Sequence, residues 1–362
     1  MGEVVETRAG RVRGGREGRI HAFRNIPFGA STAGVRRFTA PEPAPAWAGT
    51  RDVAAPGPIP PQRPSRLSRV LGEYALPHDE DCLSLSVLSP GLDRQARPVM
   101  VWLYGGAFLT GGNALDWYDG IRFAEAHDCV FVGVNYRLGA LGYLSADGVS
   151  PGNLGLRDQC LALRWVRDNI ERFGGDPERV TLAGQSAGAI STLALLASPH
   201  SDGLFHQAIL QSGRFASLST MSEVRTSGDA FVERAGGTAQ ALREVSLDTL
   251  LDQQMAFVRE QAFCFISGIA YDDGVIGGMR EERIHASLGF DDQCPRLIQG
   301  VETLTGPAER LRVHFIPTRI HYGNHRCSRF EGTVGHGTVG LNFQAVDGDE
   351  GNALGVANAF GS

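Results

Sequence analysis

Short, almost wholly apolar segments separated by an amphipathic helix constrain the fold of this chain more than any other sequence feature. Residues 99–104, 130–135 and 180–183 are such segments, which is typical of strands covered on both faces. Between the last two, residues 161–173 carry an apolar side chain at every third or fourth position. The stripe comprises Leu163, Val166, Ile170 and Phe173. Because strand, crossover helix and strand form parallel sheets, we predict an α/β protein with a central, mostly parallel sheet and helices on both faces.

The sheet is expected to continue in both directions along the chain. Alternating residues at 4–7, 11–13 and 19–23, separated by glycines, predict an N-terminal antiparallel meander. Further strands are predicted at residues 208–211 and 296–299.

Two other segments differ from this pattern. Residues 41–64 hold eight of the 18 prolines, which predicts an extended arm on the surface rather than a strand or a helix. Residues 220–262 predict helices with charged faces, which we interpret as a cap or side lobe. We therefore expect a single domain over residues 1–362.

All 34 basic residues are arginine, because the sequence contains no lysine. This excludes Schiff-base and pyridoxal-phosphate enzymes, P-loop phosphate binders and Ser-Lys hydrolases, each of which needs a lysine amine. The formal net charge of −6 offers no basic surface for nucleic acid. No stretch approaches the ~18 consecutive apolar residues of a membrane helix, and the first residues do not resemble a secretion signal. We expect a soluble, cytoplasmic protein without nucleic-acid or membrane partners; its oligomeric state is left open.

The cysteines do not form a recognisable metal or disulfide pattern. They occur singly, without a CxxC pair, at Cys82, Cys129, Cys160, Cys264, Cys294 and Cys327. The nearest approach to a metal cluster is His321, His325 and Cys327, but a closed zinc site needs four ligands. We expect free thiols, and neither a metal nor an organic cofactor.

A Gly-x-Ser-x-Gly sequence at residues 184–188 lies between the apolar strand and a predicted helix from 187 to about 196. The pentapeptide alone is weak evidence, since a chain of this composition should contain roughly 0.4 matches by chance. The strand-to-helix setting strengthens it, because the glycines let a sharp turn close and the serine is forced into a strained backbone conformation. Ser186 is therefore the candidate nucleophile, and an ordinary helix cap is the alternative.

An anion-stabilising site is predicted beside it. The strand at 99–104 runs directly into Gly105, Gly106 and Ala107, and small residues let backbone N–H groups approach a tetrahedral oxyanion. The N–H of Ala187, at the positive end of the following helix, would complete the site. An ordinary glycine-rich turn is the alternative.

Six motifs follow one another along the chain: EDCLSLSV at 80–87, YGGAF at 104–108, NYRLG at 135–139, GNLGLRDQ at 152–159, FGGDP at 173–177 and GQSAG at 184–188. In this order they resemble the motifs of the type-B carboxylesterases, the α/β-hydrolase family that includes bacterial para-nitrobenzyl esterases and the cholinesterases. The resemblance implies the α/β-hydrolase fold, with Ser186 as nucleophile and Gly106, Ala107 and Ala187 as oxyanion donors. It is strong over residues 3 to about 215, fair to 300 and poor beyond.

Two structural features follow from the resemblance. Arg37 would form an ion pair with Glu80. Pro60 stands where relatives carry the disulfide partner of Cys82, so Cys82 is expected to be a free thiol.

The family uses a catalytic triad of serine, acid and histidine, and the resemblance gives less guidance on the acid and the histidine. Chain order in this fold is serine, acid, histidine, and His336, in a Gly-His-Gly run, is the histidine that resembles the family motif. Thr305 aligns with the family's usual acid. Glu309 is the favoured substitute, Glu302 is the alternative, and the absence of a working acid is a third reading.

The implied function is hydrolysis of small carboxylic esters through an acyl-enzyme, in which His336 takes the proton of Ser186. Because the C-terminal third is shortened relative to the family, a catalytically impaired or non-catalytic relative is one alternative. An amidase or transacylase that uses the same serine is another. The natural ester is left open.

Overall fold

A computed structural model describes residues 2–65, 76–213 and 219–260, together with the backbone of three short strands further along the chain. The strands are β1 (Val4–Glu6), β2 (Arg11–Arg13), β3 (Gly15–Glu17), β4 (Ile20–Pro27), β5 (Thr50–Asp52), β6 (Ser84–Ser89), β7 (Arg97–Leu103), β8 (Val130–Val134), β9 (Ser145–Ala146), β10 (Ser150–Pro151), β11 (Gly175–Gln185), β12 (Gln207–Gln211), β13 (Ser219–Thr220), β14 (Ala270–Tyr271), β15 (Arg312–Ile316) and β16 (Phe330–Thr333). The α-helices are α1 (Ile121–His127), α2 (Gly139–Tyr143), α3 (Leu154–Asn169), α4 (Ala187–Leu196), α5 (Met221–Arg234), α6 (Ala239–Glu244) and α7 (Leu247–Glu260). Single 3₁₀ turns lie at Gly34–Arg36, Asp116–Tyr118, Ile170–Phe173 and Pro199–Ser201.

A nine-stranded mixed sheet organises these elements, in the order β16-β15-β12-β11-β7-β8-β6-β4-β3. The five strands from β15 to β8 are parallel to one another. Strands β6, β4 and β3 at one margin, and β16 at the other, are antiparallel to their neighbours. The predicted parallel sheet is thus the centre of a wider mixed one. A short turn suffices for the antiparallel β3–β4 hairpin, whereas parallel neighbours need a crossover connection.

Helices cover both faces of this sheet, as predicted. Along β7, Val99 and Val101 pack in one hydrophobic cluster with residues of α3 and α4. Met100 and Trp102 pack against a different cluster that contains Ala124 of α1. Successive residues of a strand face opposite sides of the sheet, so α3 and α4 lie on one face and α1 on the other.

The predicted segments and the observed elements agree closely in the centre of the chain. The three apolar segments become β7, β8 and β11, and residues 208–211 fall within β12. The helix predicted at 161–173 begins earlier, at Leu154, and ends in a 3₁₀ turn. Its first turns include the buried polar residues Asp158 and Gln159, which interrupt the apolar stripe. The strand predicted at 296–299 lies outside the described residues, and β15 occupies the place beside β12.

The N-terminal strands form antiparallel pairs, but they divide between two sheets instead of forming one meander. β1 and β2 pair antiparallel, and β5 joins β2 in parallel to make a separate three-stranded sheet. The β3–β4 hairpin belongs to the central sheet through β6. The chain passes from one sheet to the other at Gly14, where a Cβ would lie 2.7 Å from the ring of Phe23.

The proline-rich arm, residues 41–64, contains no helix and one short strand, β5, as expected from its composition. Its C-terminal part does not lie on the surface, however. Ile59 is fully buried and Gln62 is 3% exposed. The prediction of a surface arm is therefore wrong for this part, because tertiary contacts cover it.

The segment predicted as a helical side lobe contains α5, α6 and α7. These helices share a second hydrophobic cluster with Phe38, Leu109 and residues of α2. Among the described residues, none of the helices has the length and apolar character needed to cross a bilayer.

Candidate active site

Ser186 lies at the turn between β11 and α4. Its backbone has φ 53° and ψ −117°, a conformation that costs a non-glycine residue about 1–3 kcal/mol. Hydrogen bonds hold it on both sides: the Ser186 N–H donates to the carbonyl of Gln211 (2.8 Å), and the Ser186 carbonyl accepts from the N–H of Ile190 (3.0 Å). The strained strand-to-helix turn predicted from the sequence is confirmed. The Ser186 side chain makes no capping hydrogen bond to α4, so the helix-cap alternative has no support in the described residues.

Both glycines of this elbow turn, residues 184–188, are sterically required. A Cβ on Gly184 would lie 2.3 Å from the carbonyl of Gly188, and one on Gly188 would lie 2.0 Å from the carbonyl oxygen of Leu103. Real Cβ contacts do not come this close, so a side chain at either position would push β11, α4 and β7 apart. The sequence signal therefore reflects the packing of these three elements.

The chain that leaves β7 lies directly against the elbow turn. A Cβ on Gly105 would lie 3.1 Å from the Cβ of Ser186 and 2.3 Å from Oε1 of Gln185. The next residues, Gly106, Ala107 and Phe108, have φ of 131°, 56° and 59°. We call residues 105–111 the oxyanion turn, after the role that the sequence predicts for its amides.

Three backbone amides in this region have no hydrogen-bond acceptor in the part of the chain that the structure describes. Within the described residues, the N–H groups of Gly106, Ala107 and Ala187 donate no hydrogen bond. Ala187 begins α4, where the first N–H groups of a helix lack an intrahelical acceptor and the helix dipole is positive. The amides predicted as oxyanion donors are thus available to an acceptor.

Stacked aromatic side chains lie next to the start of the oxyanion turn. The rings of Tyr104 and Tyr136 stack with their centroids 4.4 Å apart, and the Tyr136 hydroxyl donates to the carbonyl of Tyr104 (2.5 Å). Burial raises the pKa of both phenols well above its ordinary value. Burial also raises the pKa of Tyr118, whose hydroxyl is hydrogen-bonded to the backbone of Gly105. These three side chains are neutral at ordinary pH and add no charge next to the turn.

Two buried ion pairs stabilise the surrounding loops. The pair predicted between Arg37 and Glu80 is confirmed, with Nη2 and Oε1 2.5 Å apart. Sequence reasoning missed the second pair, in which Arg137 Nη2 lies 2.7 Å from Oδ1 of Asp158. Arg137 lies in the NYRLG motif and Asp158 in the GNLGLRDQ motif. The sequence signal for this pair was a charged residue among apolar neighbours in each motif.

Cys82 is a free thiol, as expected from Pro60 at the position of the usual disulfide partner. Its side chain is fully buried, and burial raises the pKa of the thiol. Cys129 and Cys160 are also buried, and neither forms a disulfide with another described cysteine. The remaining cysteines lie outside the described residues: Cys264, Cys294 and Cys327.

The predicted partners of Ser186 cannot be placed in the same way. His336, Glu309 and the alternative Glu302 lie outside the described residues. The same holds for His321 and His325 of the weak metal cluster. In the part of the chain that is described, no group of three or more histidine, cysteine, aspartate or glutamate side chains could hold a metal ion.

A cavity of about 520 Å³ lies between α3 and residues 40–46. Its lining includes Arg8, Arg164 and Trp165, but neither Ser186 nor any of the three amides. This cavity is therefore separate from the candidate site at Ser186.

A serine at a strained strand-to-helix turn, on a sheet covered by helices on both faces, is typical of the α/β-hydrolases. The carboxylesterase family model matches residues 2–308. The chain belongs to the carboxylesterase family.

Individual relatives agree with this assignment. The para-nitrobenzyl esterase of Bacillus subtilis is 40% identical over 271 residues, which cover 72% of this chain and 55% of the relative. The phenmedipham hydrolase of Pseudarthrobacter oxydans is 45% identical over 215 residues, covering 59% of this chain and 43% of the relative. The solved structure of a thermophilic PNB esterase matches with a TM-score of 0.71 and 36% identity, over 76% of this chain and 59% of that one. The α/β-hydrolase fold expected from the sequence is thus confirmed.

The chain spans about half the length of the curated relatives it matches, 55% and 43% of the two named above.

Proposed function

We propose that this protein is a serine hydrolase that cleaves small carboxylic esters through an acyl-enzyme. The observation that carries the proposal is the position of Ser186, at a strained turn packed directly against Gly105. Among the described residues, no acceptor pairs with the N–H of Ala187, which follows Ser186, or with those of Gly106 and Ala107, which follow Gly105. Strain of this kind persists where surrounding contacts maintain it, and it is common at functional sites.

The proposed chemistry uses these groups in two steps. Ser186 Oγ attacks the ester carbonyl carbon as its proton moves to a general base, and the carbonyl oxygen becomes an oxyanion that accepts hydrogen bonds from Gly106, Ala107 and Ala187. The base returns the proton to the departing alcohol. Water, deprotonated by the same base, then attacks the acyl-enzyme, and the base returns that proton to Ser186 Oγ as the acid leaves.

We propose His336 as this base, oriented by Glu309 or, alternatively, by Glu302. Family chain order and the Gly-His-Gly run support His336. Both glutamates follow Ser186 and precede His336, as that order requires.

The oxyanion donors should matter as much as the nucleophile. Removal of one such donor typically raises the barrier by about 2.7–4 kcal/mol. All three proposed donors are backbone N–H groups. The alanine side chains at positions 107 and 187 therefore do not remove a donor.

The names of the relatives support the proposed substrate class. One is a para-nitrobenzyl esterase and another a phenmedipham hydrolase, so we propose small-molecule esters as the substrates of this chain. The cytoplasmic location and the absence of nucleic-acid and membrane partners stay predictions from composition.

Active-site labelling combined with a substrate assay tests the proposal. A fluorophosphonate should modify the parent protein at Ser186, as mapped by mass spectrometry, and the parent should hydrolyse para-nitrophenyl acetate. Ser186→Ala should lose both properties while keeping its circular dichroism spectrum. Equal turnover by parent and Ser186→Ala would refute the proposal, and so would a folded parent that neither reacts with the probe nor cleaves the ester. An acyl anilide with the same acyl group would reveal an amidase.

A further inference from the structure

We propose that Gln62 is a positioning residue for the oxyanion hole. Its side-chain amide holds the C-terminal end of the oxyanion turn, whose Gly106 and Ala107 N–H groups would receive the oxyanion. This inference rests on the proposed function and extends it to a residue of the proline-rich arm.

The side-chain amide of Gln62 forms hydrogen bonds to two backbone residues, one of which belongs to the turn. Its Nε2 donates to the carbonyls of Pro60 (2.9 Å) and Gly111 (2.7 Å), and its Oε1 accepts from the N–H of Gly111 (2.8 Å). The side chain is 3% exposed, so water cannot readily replace these bonds. Two bonds to the same backbone residue fix both its position and its orientation.

The oxyanion turn needs such external support because of its backbone conformation. Gly106, Ala107, Phe108 and Gly111 all have positive φ, and two of these are not glycine. Inside the turn, the N–H groups of Leu109 and Thr110 both donate to the carbonyl of Gly106 at 3.0 Å. These bonds close the turn on itself, but they do not tie its far end to the rest of the protein. Strained backbone of this kind persists only where neighbouring structure maintains it.

The arm that carries Gln62 is itself held against the end of the turn. A Cβ on Gly112 would lie 2.5 Å from Cγ2 of Ile59, so the arm and the chain after the turn are in direct contact. Asn135 joins the two segments: its Nδ2 donates to the carbonyl of Pro58 (3.2 Å), and its Oδ1 accepts from the N–H of Asn113 (2.9 Å). Gln62 is thus anchored before it contacts Gly111.

The proposed donors lie between two fixed ends. Gly105 packs against Ser186 at one end, and Gln62 holds Gly111 at the other. If the second end is released, Gly106 and Ala107 can move relative to Ser186. A misplacement of about 1 Å in a catalytic site can cost on the order of a hundredfold in rate.

The test compares Gln62→Met with a matched control, Asn169→Leu. Methionine keeps the approximate volume of glutamine and removes the side-chain hydrogen bonds to Pro60 and Gly111. Asn169 is a similarly buried amide, 2% exposed, that donates to the carbonyl of Trp165 (2.9 Å) and accepts from the N–H of Arg8 (2.8 Å). Leucine at this position removes the same kind of bonds at a site away from the turn.

Hydrogen–deuterium exchange provides a readout that does not need catalysis. In Gln62→Met, the peptide covering residues 105–112 should exchange faster than in the parent, and in Asn169→Leu it should exchange at the parent rate. An unchanged exchange rate in Gln62→Met would overturn the proposal.

Kinetics provide the second readout. For Gln62→Met, kcat on para-nitrophenyl acetate should fall about tenfold to a hundredfold while KM stays within about twofold. Binding of a trifluoromethyl ketone, which forms an oxyanion adduct with a serine nucleophile, should weaken by a similar factor. A parent-like kcat in Gln62→Met would overturn the positioning role. An inactive parent would refute the proposed function, and the exchange experiment would still decide whether Gln62 holds the turn.

Discussion

The guanidinium of Arg37 binds Glu80 and the side lobe at the same time. Its Nε and Nη2 donate to the two carboxylate oxygens of Glu80, at 2.8 Å and 2.5 Å. Its Nη1 donates to the carbonyls of Leu242 (3.2 Å) and Val245 (2.7 Å), at the end of α6. One buried side chain therefore joins the N-terminal part of the chain, the segment before β6 and the helical lobe.

We propose, on this basis, that the lobe of α5, α6 and α7 belongs to the same domain as the sheet. A second polar contact supports this: Oε1 of Gln254 in α7 accepts from the N–H of Ala140 in α2 at 2.7 Å. The shared hydrophobic cluster, which includes Phe38 and Leu109, supports it as well.

Glu80→Gln should destabilise the protein strongly, because it leaves the buried Arg37 charge without its carboxylate. Loss of one partner of a buried ion pair typically costs about 3–5 kcal/mol in the free energy of unfolding. Urea denaturation should show a lower midpoint with an unchanged slope. Glu260→Gln is the control, because Glu260 pairs with Arg234 on the surface, and its midpoint should stay close to the parent's. Equal midpoints in both variants would contradict this account of Arg37.

Ser186→Gly should be more stable than Ser186→Ala. The φ of 53° and ψ of −117° strain alanine as much as serine, whereas glycine adopts such a conformation readily. We expect a difference of about 1–2 kcal/mol in the free energy of unfolding, with both variants inactive toward para-nitrophenyl acetate. Thermal and urea denaturation of the two variants would measure it. A less stable glycine variant would show that the strain is not carried by Ser186.

The local parts of this fold could be predicted from the sequence, because short-range patterns encode them. Apolar runs indicated β7, β8 and β11, and the glycines around Ser186 indicated the elbow turn. Alternation indicated antiparallel N-terminal strands, but it did not reveal that they divide between two sheets or that β6 and β16 are antiparallel to their parallel neighbours. Those features depend on which strands meet in space. The need for glycine at position 14, where the chain passes between the two sheets, is explained by the ring of Phe23 beside it.

Long-range polar contacts were harder to predict. Gln62 and Gly111 are 49 residues apart in sequence, and Arg137 and Asp158 are 21 apart. Nothing in the local pattern around Gln62 shows that its amide faces a backbone group of the oxyanion turn. The proline content even led to the prediction of a surface position. That prediction was wrong for this residue because prolines determine backbone conformation and not burial.

Gly105→Ala should abolish most activity by separating the oxyanion turn from the elbow turn. The added methyl would lie 2.3 Å from Oε1 of Gln185 and 3.1 Å from Cβ of Ser186. We expect kcat to fall by at least about a hundredfold, comparable to the loss of one oxyanion donor. Gly15→Ala is the control, because its new Cβ would come no closer than 3.3 Å, to Cβ of Ala54. If Gly105→Ala kept the parent kcat, the close packing of the two turns would not matter for catalysis.

The thiols of Cys82 and Cys129 should react slowly in the folded protein, and all six thiols should react after unfolding. Burial raises the pKa of Cys129 to about 11 and raises that of Cys82 further, and the thiolate is the reactive form. Alkylation of both cysteines by iodoacetamide should therefore be slow at pH 8, and alkylation of Cys129 should accelerate as the pH approaches its pKa. After denaturation without reductant, all six cysteines should be labelled. A gain of two labelled thiols on reduction would reveal a disulfide and contradict the free-thiol prediction.

Substitutions in the C-terminal third should identify the residues that work with Ser186. If Glu309 orients the imidazole of His336, Glu309→Gln should lower kcat strongly with little change in KM, because the carboxylate stabilises the imidazolium that forms in the transition state. Glu302→Gln should then have almost no effect. The reverse result would assign the acid to Glu302. Parent-like activity in both variants would mean that the site works without either carboxylate.

His336→Ala separates the remaining cases. A serine hydroxyl needs a general base at neutral pH, and an unperturbed histidine titrates near pH 6.5 and fits that task. Activity of the parent should therefore fall in acid, because a protonated imidazole cannot accept the proton of Ser186. His336→Ala should lose this pH dependence together with most of kcat, while the far-ultraviolet circular dichroism stays unchanged. If His336→Ala kept the parent kcat and pH profile, His336 would not be the base, and the assignments of Glu309 and Glu302 that depend on it would fall as well.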